Sequence, residues 1–233
     1  MQPDTRSGQT AYRIPGQEIG LEQQKVLRNT YFLLALTMVP TVIGAFIGMR
    51  TTGIIMQNPI LSMLLMLAGV IGLQFAIAKY RNSGVGVVLL LGMTLLLGWF
   101  LGPILTVALA LKNGPQLVGI AAMGTGTVLF VMAIIATTTR RDFSFMGKFL
   151  FVGMIVLLLA MLANMFLQIP ALALTISALV VVVFSLFLLH DLSRIVNGGE
   201  TNYIMATTGV YLSLFNIFVN LLHLLMALGG ERD

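Results

Sequence analysis

The residues of this chain that could do chemistry are few, and most of them lie near its end. Asn202, Ala206, Gly209, Ser213, Asn216, Asn220 and His223 recur at alternating spacings of four and three, which puts all seven on one face of a helix. The positions between them are largely Ile, Leu, Val, Phe, Met and Tyr. A polar and small stripe of that length in an apolar helix must face other helices or water, because lipid offers it no partners. Two readings follow. The stripe is either hydrogen-bonding contact between helices or the lining of a polar path for an ion. His223 carries the same choice, as a packed, hydrogen-bonded side chain or a proton relay.

Asp191 is the second feature. It stands just past an apolar run, beside His190 and one turn before Arg194. One reading is an interfacial aspartate in contact with water. The other is a latch, paired with Arg81, Lys79 or Arg194 and opened by protonation, since a carboxylate held by a cation keeps its charge to lower pH. Catalytic arrangements are missing. There is no G-x-S-x-G and no H-E-x-x-H, and Ser213 and His223 are separated by roughly 15 Å along a helix. That is too far for a nucleophile and its base. The chain has no cysteine, and His190 and His223 alone assemble no metal site, so no metal, cofactor or enzymatic activity is expected.

The elements that position these residues follow from composition. Of 233 residues 58% are hydrophobic and 9% charged, with mean hydropathy +0.99. A soluble domain carries about a quarter charged residues. The apolar surplus must face lipid. Basic residues form no patch, which argues against nucleic acid. Seven apolar runs each approach the length of a span: Tyr31–Met49, Pro59–Ala78, Val85–Leu105, Leu117–Thr137, Phe149–Leu167, Ala171–Leu189 and Tyr203–Leu228. Stretches such as Leu174–Leu189 lack the alternation of barrel strands, so helices are expected, each satisfying its own backbone in hydrocarbon. The predicted fold class is an all-α membrane protein with seven transmembrane helices.

The first 28 residues are polar and lack the apolar core of a signal peptide. They are predicted to be a mostly disordered tail, helical near Leu21–Leu27, ahead of a transmembrane domain over residues 29–233. Basic residues set the orientation. Arg6, Arg13, Lys25, Arg28, Lys79, Arg81, Arg140, Arg141, Lys148 and Arg194 fall on one side, against Arg50, Lys112 and Arg232 on the other. This bias puts the N-terminus in the cytoplasm and the C-terminus outside. No internal repeat supports an inverted-repeat transporter. Small residues at Pro40, Gly44 and Gly48 and at Gly98 and Gly102 suit close helix packing, and Asn164 and Gln168 suit interhelical bonds. Gly124–Thr125–Gly126 lacks the lysine of a phosphate loop. The methionines show no paired spacing and read as packing.

Four segments carry a resemblance: Lys25–Thr37 (KVLRNTYFLLALT), Phe100–Leu105 (FLGPIL), Thr139–Phe145 (TRRDFSF) and Gly198–Leu222 (GGETNYIMATTGVYLSLFNIFVNLL). Through them the chain resembles the Bax inhibitor-1 family, most closely its bacterial YccA branch, from Lys25 to Leu228. The resemblance implies a seven-helix bundle with the last helix surrounded by the other six, in a bacterial inner membrane, where the orientation set by the basic residues makes the C-terminus periplasmic. It implies binding and modulation of the ATP-dependent membrane protease FtsH, for which the polar N-terminal tail would be the end to grip. It also implies, as an alternative, a pH-sensitive calcium leak resting on two acidic positions. Asp191 matches the first, with Arg81 or Lys79 as its basic partner. The second falls at Ser213, which carries no charge, whereas calcium prefers several oxygen ligands and more than one carboxylate; a proton-linked path through Asp191 stays open.

Overall fold

The computed structural model describes residues 15–139 and 141–230, with side chains from Gly20 onward; Arg6, Arg13, Arg140 and Arg232 of the orientation count lie outside the described residues. Among the described residues eight helices follow one another: α1 (Pro15–Arg50), α2 (Thr52–Gln57), α3 (Pro59–Lys79), α4 (Gly84–Leu109), α5 (Gly114–Thr139), α6 (Met146–Leu167), α7 (Pro170–Val196) and α8 (Tyr203–Gly229). Seven are long and apolar enough to cross a membrane, and α2 is a single short piece between the first two spans. The seven expected spans are all present.

The expected tail differs in one respect. From Pro15 the chain is helical and runs without a break into the first span; residues 1–14 lie outside the described residues. Gln, Glu, Leu and Lys of this stretch are strong helix formers. Val26 and Leu27 also pack against the main core, which holds the extension to the bundle.

Helix α8 sits at the centre. It touches α1, α3, α4, α5 and α7, whereas α6 reaches only α7. Leu228 is the one large apolar side chain that α8 exposes, while each other spanning helix exposes two or more. The implied ring of six neighbours is thus a ring of five, because α7 stands between α6 and α8. Lipid can wet an outer helix on most of its surface, whereas α8 offers it far less apolar side chain.

The tightest contact joins α1 and α4. Gly44 and Gly48 face Leu95, Gly98, Trp99 and Gly102 with backbone against backbone, and a Cβ on Gly102 would stand 2.5 Å from the Gly48 Cα. The two small-residue steps therefore meet each other. Pro103 lies inside α4 and removes the amide that would bond the Trp99 carbonyl. That carbonyl lies against Gly48, where a glycine Cα–H can approach it. Trp99 Nε1 also donates to Thr51 Oγ1 at 2.7 Å, and Thr52 and Thr106 share a hydroxyl bond at 3.1 Å. Together these lock the far end of the pair.

Candidate functional site

The polar groups of interest gather where α7 ends and α8 begins. Helix α7 closes with a left-handed glycine: Gly198 has φ +77, its amide bonds Ile195 O, and Gly199 N bonds Arg194 O at 2.8 Å. Two successive bonds of this kind satisfy the last carbonyls of a helix and turn the chain sharply. Arg194 then reaches Glu200 at 3.5 Å and Gly199 O at 3.2 Å. Glu200 Oε1 accepts from Asn202 N. Asn202 caps α8, its Oδ1 accepting from Ile204 N and Met205 N, while its Nδ2 donates to Arg81 O at 2.8 Å and Asn82 Oδ1 at 2.9 Å. The α7–α8 loop and the α3–α4 turn are thereby one bonded unit.

Asp191 lies one turn inside this end. Its Oδ1 is 3.1 Å from His190 Nδ1, and its Oδ2 would be 2.6 Å from a Cβ on Gly209. The absent side chain at Gly209 is what lets the carboxylate rest on the α8 backbone. His190 uses a glycine in the same way: its Nε2 would be 2.8 Å from a Cβ on Gly147, in the first turn of α6. Two glycines on two helices thus seat the neighbouring His190 and Asp191.

The α5–α6 loop closes over the pair. Ser193 Oγ donates to Arg141 O at 2.9 Å and accepts from Phe143 N, and Asn197 Nδ2 donates to the same Arg141 carbonyl at 3.2 Å. Asp142 in this loop accepts from Ser144 N at 2.8 Å. Its carboxyl is held below the ordinary range, first by the Ser144 hydroxyl and amide and further by the charge of the nearby His190 ring.

The expected latch partners stand elsewhere. Among the described residues Asp191 pairs with His190, and no ion pair joins it to Lys79, Arg81 or Arg194. Lys79 is exposed with its ammonium over the Tyr80 ring, 5.7 Å from the centroid. Arg81 is exposed too, and contributes its backbone carbonyl to Asn202. Arg194 is taken by Glu200.

The stripe on α8 divides by partner. Ala206, Ser213 and Asn220 are buried, and Gly209, Asn216 and His223 are half-buried. Asn216 Nδ2 and Asn220 Nδ2 both donate to carbonyls one turn back in their own helix, at 2.9 Å each. His223 Nδ1 meets Ser177 Oγ of α7 at 2.9 Å. Ser213 lies one turn past the Asp191 contact at Gly209. The opposite face of α8 is equally buried, with Thr207, Thr208 and Tyr211 among its residues.

Some residues escape sequence reasoning. The Tyr211 hydroxyl shares a 2.8 Å bond with Thr41 and ties α8 to α1, a contact between residues far apart in the chain. Ser193 and Asn197 were also missed, although their four-residue spacing on one face past Asp191 was a usable signal. Gln23, inside the expected tail, reaches the α7–α8 loop.

Comparison with known proteins adds one group. Residues 23–230 match the family described as "Inhibitor of apoptosis-promoting Bax1". "Modulator of FtsH protease YccA" of Escherichia coli K12 is 43% identical over 205 residues, 88% of this chain and 91% of that one. "Inner membrane protein YccA" of Escherichia coli O6:H1 matches to the same extent. An uncharacterized membrane protein of Vibrio cholerae is 42% identical over 213 residues, 91% of this chain and 94% of its own length.

Proposed function

This chain belongs to the Bax inhibitor-1 family, and we propose on that premise that it is an inner-membrane regulator of an FtsH-type ATP-dependent protease, acting by binding and not by catalysis. The observation that carries the reading is the join between α1 and the rest of the bundle. The N-terminal half of α1 projects Leu21 and Glu22 outward, while further along the same helix is packed backbone to backbone on α4. A machine that grips the polar N-terminal end pulls on the helix that is hardest to remove. A partly engaged protease is then occupied. The orientation proposed from the basic residues places that end in the cytoplasm, where ATP is available. The name of the Escherichia coli relative supports the choice of partner.

The test uses purified FtsH-type protease, a second substrate and the full chain in nanodiscs, beside a chain lacking residues 2–14. The shortened chain is expected to be turned over far more slowly. Equal turnover and equal inhibition of the second substrate in both chains would refute the gripping mechanism.

A second reading, a pH-sensitive cation leak, is favoured by one observation, the seating of the Asp191 carboxylate on Gly209 against the central helix. Ion flux into liposomes, compared at pH of roughly 6 and roughly 8, would be pH-dependent and lost in Asp191→Asn. Silence in both proteins removes this reading.

A further inference from the structure

We infer that Gln23 is a clip that fastens the N-terminal helix to the α7–α8 loop, and that its release controls how readily the N-terminal end is drawn from the bundle. The second half rests on the reading of that end as the one a protease grips.

The contact is built from both sides. With the Gln23 amide assigned the orientation that satisfies its neighbours, its nitrogen donates to Val196 O at 2.9 Å, and its oxygen accepts at 3.3 Å from Gly198 N, which it shares with Ile195 O. Val196 is the last residue of α7, so its carbonyl is one that a helix end leaves without an intrahelical donor. Gly198 is in the left-handed region at φ +77, and a Cβ there would come within 2.9 Å of the end of the Gln23 side chain. Glycine is therefore favoured at this position by the turn, and its missing Cβ leaves room for the end of Gln23.

The clip's place along α1 gives it its effect. Leu21 and Glu22 are exposed, and the next inward residues, Val26 and Leu27, belong to the apolar packing. Among the described residues, Gln23 is the first of α1 to hydrogen-bond another element. From the loop the tie passes on through Arg194 and Glu200 to Asn202, and through Asn202 to the α3–α4 turn. One side chain thus joins the N-terminal helix to the closing turn of α7, the cap of α8 and the turn after α3. Force applied at the N-terminus meets this network before it meets the glycine contact with α4.

One hydrogen bond of ordinary net strength and one weaker, shared bond change an opening equilibrium by about tenfold. Gln23→Ala removes both. Gln23→Glu keeps the acceptor for Gly198 N but loses the donor to Val196 O, so it tests the clip without changing size. The full chain in nanodiscs would be followed by hydrogen exchange at the Gly198 and Gly199 amides, and by turnover with the purified membrane protease. Gln23→Ala is expected to speed exchange about tenfold and to raise turnover, with Gln23→Glu between it and the parent. Unchanged exchange overturns the clip. Faster exchange with unchanged turnover, while the chain lacking residues 2–14 resists turnover, overturns its control of extraction and leaves the protease reading intact. Turnover indifferent to both changes sinks the protease reading and the extraction role together.

Discussion

Replacing Gly102 by alanine adds one methyl group at the most crowded point of the bundle. Its Cβ would stand 2.5 Å from the Gly48 Cα and closer still to the Gly48 carbonyl carbon. Backbone cannot rotate away as a side-chain end can, so α1 and α4 must separate by more than about 1 Å to restore ordinary contact. Each heavy-atom pair then forfeits a quarter to a half of a well about 0.1–0.2 kcal/mol deep, and over on the order of 50 such pairs the loss is ~3 kcal/mol. Lipid does not return it, since no hydrophobic gain holds helices together inside a bilayer. The carbonyl of Trp99, left without its helical donor by Pro103, would also lose its close approach to Gly48. The assay is reversible unfolding in mixed micelles, with Gly153→Ala as the control, because a Cβ at Gly153 meets nothing within 4 Å. A Gly102→Ala protein as stable as the control would refute the packing argument. The same change should speed extraction by a protease pulling on α1, which separates stability of the pair from recognition of the tail.

Other outcomes follow from the polar contacts. Asn202→Ala removes the cap of α8 and both ties to the α3–α4 turn, and should lower stability by ~1–2 kcal/mol in the same unfolding assay, with Asn202→Asp recovering the cap but not the donor to Arg81 O. Ser177→Ala and His223→Ala should each cost about 1 kcal/mol, and the double variant should cost little more than either, since both remove one bond; additive losses would mean the two do not act as a pair. Asp142 titrates lower when folded than its ordinary value of 3.8, so its contribution is fully present above that value and fades as pH falls through the lower folded one. Melting temperature followed downward from about pH 5 should drop less in Asp142→Asn than in the parent, and parallel curves would contradict the assignment.

How much was legible in the sequence depends on the range of the force involved. Seven spans, their all-helical class and the helical face of the α8 stripe were determined by the chain alone. Lipid demands that each segment satisfy its own backbone, and that demand is local, so composition and period express it. The small residues of α1 and α4 were visible for the same reason, as steps suited to close packing. Their meeting was not, because Gly48 and Gly102 are adjacent only after the helices pair. Asp191 stands out in the sequence as an acid at a helix end, but its partner is decided in three dimensions: Gly209 seats Asp191 and Gly147 seats His190, so that the two side chains meet. The asparagines of the stripe looked like bridges, yet Asn216 and Asn220 donate to the nearest carbonyls of their own helix. A side-chain amide inside a bundle takes the acceptor that packing leaves within about 3 Å, and only the tertiary structure sets which one that is.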